Sequence, residues 1–470
     1  MSQARETVLR NIPSVEAILA DEAFKRETAA LPRKVVVAAV RASVSEMRKR
    51  LVKGTGDGAN AEDIRSAVLS EAKERAAAAM RPFYRKAVNA TGIILHTGLG
   101  RAVLAEKALE QIRRELAGYS VLQIDIESGE RSKRDERIEW LLKQLTGCEA
   151  ATVVNNNSAA TSIVLNTVAK NREVVVSRGQ LVEIGGSFRL PEVMAASGAK
   201  LVEVGTTNKT HPKDYENAIT ENTAAILRVH PSNYKILGFA SEVRIEELVE
   251  IAHKHKLVVV DDVGSGALFD FSRFGFADEP TLPGSVAAGA DVVISSADKL
   301  IGGSQGGIIL GKADIVAAIR KNPLARIVRV GKLTLAALEA TLSLFLDEKT
   351  AFEEVPTLRM LVRGSKDLAA AAERIAVEIR KRGLEADVAT IDGASQMGSG
   401  SLPTENLPTR LVAVSPRKIS PDELALRLRR DEPPVVTRIQ KDLVLIDPRT
   451  LLPGEEEIVI SAVAKALGNT

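Results

Sequence analysis

Along residues 13–80 apolar positions recur three and four apart, through Val15, Ile18 and Leu19 and again through Val36, Val37, Val40 and Val44. That is the spacing of helices with one buried face. Gly54–Gly58 interrupts the pattern, Asn60 followed by Ala-Glu-Asp opens another helix, and Arg81-Pro82 marks the exit. From about residue 86 the period changes. Short β-branched runs alternate with helical stretches: 151–154, 173–176, 201–204, 224–229, 257–260, 292–294 and 307–310. Such alternation predicts βαβ units and a mostly parallel, seven-stranded sheet between helices. A long helix is predicted over Leu333–Phe345, and the remainder mixes helices with strands such as 411–414 and 443–446. The predicted class is α/β in three parts: a helical domain over 1–82, a large α/β domain over 83–335 and a small α/β domain over 336–470.

Composition narrows the setting. No apolar run approaches the roughly 20 residues of a membrane span. The first residues, MSQARETVLRN, lack the apolar stretch of a secretory signal. A single cysteine, Cys148, excludes an intrachain disulfide, and the five histidines show no zinc-ligand spacing. A cytoplasmic protein without metal or membrane partner is expected. Net charge is +3, but residues 1–85 hold 16 Lys+Arg against 11 Asp+Glu, so the rest sums to −2. A basic first domain suits a polyanion; a solvated helix face explains the same charges.

Three segments carry chemistry. In VVISSADKLIGGSQGGIILG, residues 292–311, a strand ends in Ser295-Ser296-Ala297-Asp298-Lys299, and a glycine-rich turn leads to a second strand. A lysine desolvated at a strand end has a depressed pKa and forms imines readily. The glycines permit close approach of a bulky cofactor, and Ser296 can donate to a phosphate. Taken alone, the segment is equally a surface lysine beside a hairpin. In LVVVDDVGSGAL, residues 257–268, an apolar strand ends in two aspartates, and Asp262 at its C-terminal end lies 37 residues before Lys299. An aspartate so placed can pair with the pyridine nitrogen of pyridoxal phosphate (PLP), or can cap a helix. After the strand ATVV, Asn155, Asn156, Asn157 and Ser158 offer a phosphate cup at a helix N-terminus, or a plain capping turn. The order cup, aspartate, lysine is that of fold-type I PLP enzymes.

The longer text resembles the bacterial selenocysteine synthase (L-seryl-tRNA(Sec) selenium transferase) family. The resemblance rests on VNATGIILHTGLGRA at 88–102, EAATVVNNNSAA at 149–160, VVVSRGQLVEIGGSFRLPEVM at 174–194 and GAKLVEVGTTNKTH at 198–211. It continues in VHPSNYKILGF at 229–239, DDVGSG at 261–266, DKLIGGSQGGIILG at 298–311, NPLARIVRVGKLTLAALEATL at 322–342 and GSGSLP at 398–403. RNIPSVEAIL at 10–19 extends it into the helical domain. The resemblance implies a fold-type I PLP-dependent transferase with PLP on Lys299 and Asp262 on the pyridine nitrogen. It implies loss of water from seryl-tRNA(Sec) to an aminoacrylyl intermediate, then attack by selenium from selenophosphate. Arg101, Arg326 and Arg329 would hold that donor, as guanidinium forks match tetrahedral oxyanions. Arg326 and Arg329 share one face if their segment is helical; each is otherwise a candidate surface ion pair. The helical domain would grip tRNA(Sec) by shape and backbone, and the protein would be a dimer-based homo-oligomer, a decamer in full-length members.

Several positions depart from the family pattern. Gly129-Glu130-Arg131-Ser132-Lys133-Arg134, then Arg137, stands where Gly-x-Arg-Gly-Ser-Arg and a later histidine are usual. Gly98 replaces an asparagine, Gly331 an aspartate and Gln180 a glutamate. These changes lie near expected active-site loops. They keep open an alternative, a PLP-dependent lyase of the β-elimination or ammonia-lyase type acting on a small amino acid or amino sugar acid. Relatives with small substrates usually lack the N-terminal domain that this chain keeps.

Overall fold

The structure is a computed structural model that describes residues 9–53, 60–185, 188–236, 238–276, 279–399 and 401–468, with only the main chain described over 401–405. The expected Gly54–Gly58 break, and Gly400 of the GSGSLP motif, lie outside the described residues. The chain divides into two compact units, one ending at Lys86 and the other beginning at Ala87.

The first unit holds helices α1 (Val15–Ala20), α2 (Glu22–Glu27), α3 (Arg33–Val52) and α4 (Ala61–Met80). Their starts are written locally. Ser14, Asp21 and Asn60 each accept main-chain N–H bonds from the first turn that follows, which satisfies donors a helix otherwise leaves orphaned. Val36, Val40, Met47 and Leu51 of α3 pack with Ile64, Val68 and Ala72 of α4 and with Ile18 and Phe24. Each such large side chain contributes roughly 1.5–3 kcal/mol when fully buried. Arg50 and Arg75 converge on Glu71, and Arg65 reaches Asp21 at 2.7 Å.

The second unit is built on seven strands: β1 (Ala150–Val154), β2 (Glu173–Ser177), β3 (Lys200–Val204), β4 (Thr223–Val229), β5 (Val258–Gly264), β6 (Val292–Ser296) and β7 (Gly307–Gly311). Every predicted run is one of them. Their order is β1-β7-β6-β5-β4-β2-β3, and β7 alone runs antiparallel to its neighbours. Apolar side chains on the two sheet faces form separate cores, one through Val153, Ile226, Val259 and Ile308, the other through Val154, Leu227, Val260 and Ile309. Burial on both faces explains why these strands read as continuous apolar runs.

The predicted helix after Lys332 spans Lys332–Leu344. Beyond it, strands Ala386–Gly398, Ser401–Pro416, Arg438–Gln440 and Leu443–Ile446 form a four-stranded antiparallel sheet. Its core includes Val88 and Ala90 from the start of the unit, and Val88–Asn89 pairs with Val435–Val436. The main chain at Ile94 and Leu95 donates to Gln396 and Met397 at 3.0 and 2.7 Å. The C-terminal sheet thereby anchors the segment that carries His96–Arg101.

Candidate active site

The carboxyl ends of the parallel strands β1, β5 and β6 and the start of β7 share one edge, where open α/β sheets place their ligands. Three chemical segments meet there. Lys299 follows β6 and is 5% exposed. Burial lowers its pKa from the usual 10.5, against the raising influence of Asp262, Asp298 and Glu279, while Arg101 lowers it further. A buried lysine with a weakened hold on its proton is a nucleophile in waiting.

Asp262 lies in the C-terminal half of β5, at the strand end where the sequence places it. The strand runs through both aspartates because Asp262 pairs in register with Val229 on one side and Ile294 on the other. This placement excludes the helix-cap reading. Asp262 Oδ1 accepts from Asn157 Nδ2 at 2.9 Å and Oδ2 from Thr161 Oγ1 at 3.3 Å. Burial pushes its pKa up to about 6, with Asn157, Lys299 and Thr161 opposing the rise and Asp261 adding to it. A cationic ring nitrogen would relieve that cost by pairing with the buried carboxylate.

The Asn155–Ser158 stretch is divided among several tasks. Asn155 donates its N–H to Val328 O at 3.0 Å and accepts from Gln305 Nε2 at 3.2 Å. Asn156 caps helix α5 (Asn157–Val168) through Ala159 N at 2.8 Å. Asn157 turns back to Asp262, with its own Oδ1 buried and unpartnered. Ser158 is half-buried in the first turn, and Ser296 is buried at the end of β6. At Gly307 the close approach is of the chain to itself: a Cβ there would meet Asn156 O at 2.1 Å.

The arginines separate. Arg101 adopts a left-handed main chain, φ 65°, and its guanidinium meets Asp298 Oδ2 at 2.7 Å. Arg326 and Arg329 do not share a helix. The helix Leu324–Ile327 stops short, and Arg329 makes a β-bridge with Val154, because the chain there is drawn alongside the end of β1. Both are exposed, and both stand near Arg134. Burial lowers the pKa of Arg134, and the like charges of Arg329, Arg131 and Arg326 lower it further. Arg134 is held by Val330 O at 2.9 Å and Gln123 Oε1 at 2.8 Å. Among the described residues Arg131, Arg326 and Arg329 have no ion pair. The substituted Lys133 and Arg137 nearby do: they face Glu139 and Glu339, and Arg137 stacks on Trp140.

Sequence reasoning missed Thr161, His230, Glu279 and the role of Asp298 as the counter-ion of Arg101. Thr161 had a signal, since it lies one helical turn after Asn157. Glu279 had none. Among the described residues no group of three metal-binding side chains occurs, and no helix is long and apolar enough to cross a membrane.

The residues present fit PLP: a buried lysine with depressed pKa, a buried carboxylate short of a cationic partner, and an unpartnered amide oxygen on Asn157 beside it. Sheet order and site together define the fold-type I class of PLP-dependent enzymes. A solved structure of D-glucosaminate-6-phosphate ammonia-lyase shares the fold, with a TM-score of 0.57 at 20% identity over 83% of this chain and 100% of that one. A family model described as L-seryl-tRNA selenium transferase matches residues 87–452, and one described as selenocysteine synthase N terminal matches residues 9–48. The chain belongs to the L-seryl-tRNA selenium transferase family. The L-seryl-tRNA(Sec) selenium transferase of Solidesulfovibrio magneticus is 48% identical over 465 residues, 98% of each chain. That of Clostridium botulinum is 42% identical over 464 residues, 98% of this chain and 99% of the other.

Proposed function

We propose that the protein converts L-seryl-tRNA(Sec) to L-selenocysteinyl-tRNA(Sec) with selenophosphate as selenium donor. The observation that carries this reading is the family match along both parts of the chain, the helical residues 9–48 as well as the catalytic body. A lyase of small substrates has no use for the first part. Lys299 would hold PLP, Asp262 would face its ring nitrogen, and Asn155, Asn156, Asn157, Ser158 and Ser296 would surround its phosphate. Bound there, PLP supplies an electron sink that makes the serine Cα proton labile and the β-hydroxyl expellable. Lys299 Nζ would serve as the base for that proton. Arg326 and Arg329 would receive the selenium donor, and Arg101 would share it at the cost of loosening Asp298.

Charge and exposure support the partners. On α3, Lys34, Arg41 and Arg48 lie two turns apart on one exposed line, about 10 Å between successive cations, away from the buried Val36–Val40–Met47 face. None has an ion pair among the described residues. Such a row suits the phosphates of tRNA(Sec). The exposed Tyr119, Val121, Ile124 and Ile126, with Ile327 and Leu333, suit burial in a dimer-based homo-oligomer, a decamer in the full assembly. A cytoplasmic setting follows from a tRNA substrate.

The test is direct: purified protein loaded with PLP, seryl-tRNA(Sec) and selenophosphate should yield selenocysteinyl-tRNA(Sec). Absence of product from a protein that shows the cofactor's absorption would overturn the reading. Removal of residues 1–80 should weaken tRNA binding and leave PLP binding intact; unchanged tRNA affinity would sink the role given to the helical unit.

A further inference from the structure

Beside the cofactor site lies a cavity of about 510 Å³ lined by residues that include Ser177, Arg228, His230, Tyr234, Phe276 and Glu279. Glu279 belongs to both places. Its side chain is 2% exposed, its Oε2 stands 3.8 Å from His230 Nε2, and the Ser265 side chain lies beside its carboxylate. It also lies within electrostatic reach of Lys299. His230 is tied to the same centre, because its main-chain N–H donates to Asp262 O at 2.9 Å.

The charges around Lys299 can be matched one by one. The charges that bear on Lys299 include Asp262, Arg101, Asp298 and Glu279. Asp298 is neutralised by Arg101 at 2.7 Å. Asp262 is the carboxylate that a pyridine nitrogen takes. Glu279 is a further buried carboxylate whose charge bears on Lys299. Burial, partly countered by Ser265 and Lys299, raises its pKa to about 7, so its proton is gained and lost under ordinary conditions.

We propose that Glu279 is a positioning residue that governs the protonation of Lys299, exchanging a proton between Lys299 Nζ and the cavity that it lines with His230. The exchange is a plain transfer: the Lys299 ammonium and the Glu279 carboxylate become amine and carboxylic acid, and the acid returns its proton to cavity water. His230 Nε2 faces the same carboxylate at 3.8 Å. The proposal deepens the reading of Lys299 as the cofactor lysine and rests on it.

The experiment follows PLP capture by the cofactor-free full-length protein, by visible absorption, as a function of pH. The wild-type profile should show two ionisations, those of Glu279 and Lys299. Glu279→Gln should abolish the first and move the second about one pH unit lower, the usual order for loss of an opposite charge nearby. Glu279→Asp retains the carboxyl and should keep two ionisations, with the lower one displaced; it also serves if the glutamine variant does not fold. A wild-type profile in whichever variant folds overturns the role of Glu279. Capture by Lys299→Ala with wild-type kinetics would instead overturn the underlying assignment of Lys299.

Discussion

Around Lys299, charges of both signs share a buried space; beside the end of β1, four arginines gather with few negative groups between them. The two regions lie at the same sheet edge and obey different electrostatics. In the first, Asp262, Asp298, Glu279 and Arg101 surround one lysine, and burial raises the cost of every unmatched charge. Proton affinities there are tuned toward neutrality, as an acid–base centre requires. In the second, Arg131, Arg326 and Arg329 remain without ion pairs among the described residues, and Arg134 is disfavoured as a cation by their presence. Such a cluster gains most when an anion enters. One region is a buried mixture of both signs, the other an exposed cluster of like charge.

The contrast can be broken in stages. Lys299→Ala has the largest expected effect: loss of the visible absorption of lysine-bound cofactor and a fall in turnover of at least ~10²–10⁴-fold, the range for removing a proton-transfer group. Retained absorption would remove the first half of the comparison. Arg329→Ala should raise the KM for selenophosphate by about 10–100-fold, the worth of one or two charge-assisted hydrogen bonds. It should leave the cofactor spectrum unchanged. A spectral change with unaltered KM would show that the two regions are not separate in function.

Asp262 gives a smaller, pH-dependent signal in the cofactor-free protein. Its folded pKa, about 6, exceeds its ordinary 3.8, so the folded state binds its proton more tightly. Stability from this group is therefore full below about pH 4 and is lost as pH rises through about 6, by about 3 kcal/mol. Denaturant midpoints measured from pH 4 to 7 should show that decline in wild type and not in Asp262→Asn; parallel curves would refute the burial cost. The smallest effect is at Gly331, which precedes helix Lys332–Leu344 without offering a side-chain cap. Gly331→Asp should restore one and raise stability by a few tenths of a kcal/mol. Placed two residues after Arg329, the added carboxylate should also weaken the affinity for the selenium donor. A lowered thermal midpoint would show that the helix start is already satisfied.

Much of the molecule follows from the chain read alone. The seven strands, the switch of period near residue 86 and the Asn60 cap are local facts, set by neighbours within a few residues. Other features belong to strand pairing and burial. Asp262 lies within β5 because β4 and β6 flank it. Arg329 leaves the helix because β1 captures it. Glu279 joins Lys299, and Asp298 joins Arg101, across 197 residues of sequence in the second case. Period and capping are written in the spacing of side chains, so sequence alone determined the elements and singled out Lys299 as a candidate. Which charge answers which is fixed by distance and dielectric, and only the tertiary structure decided that.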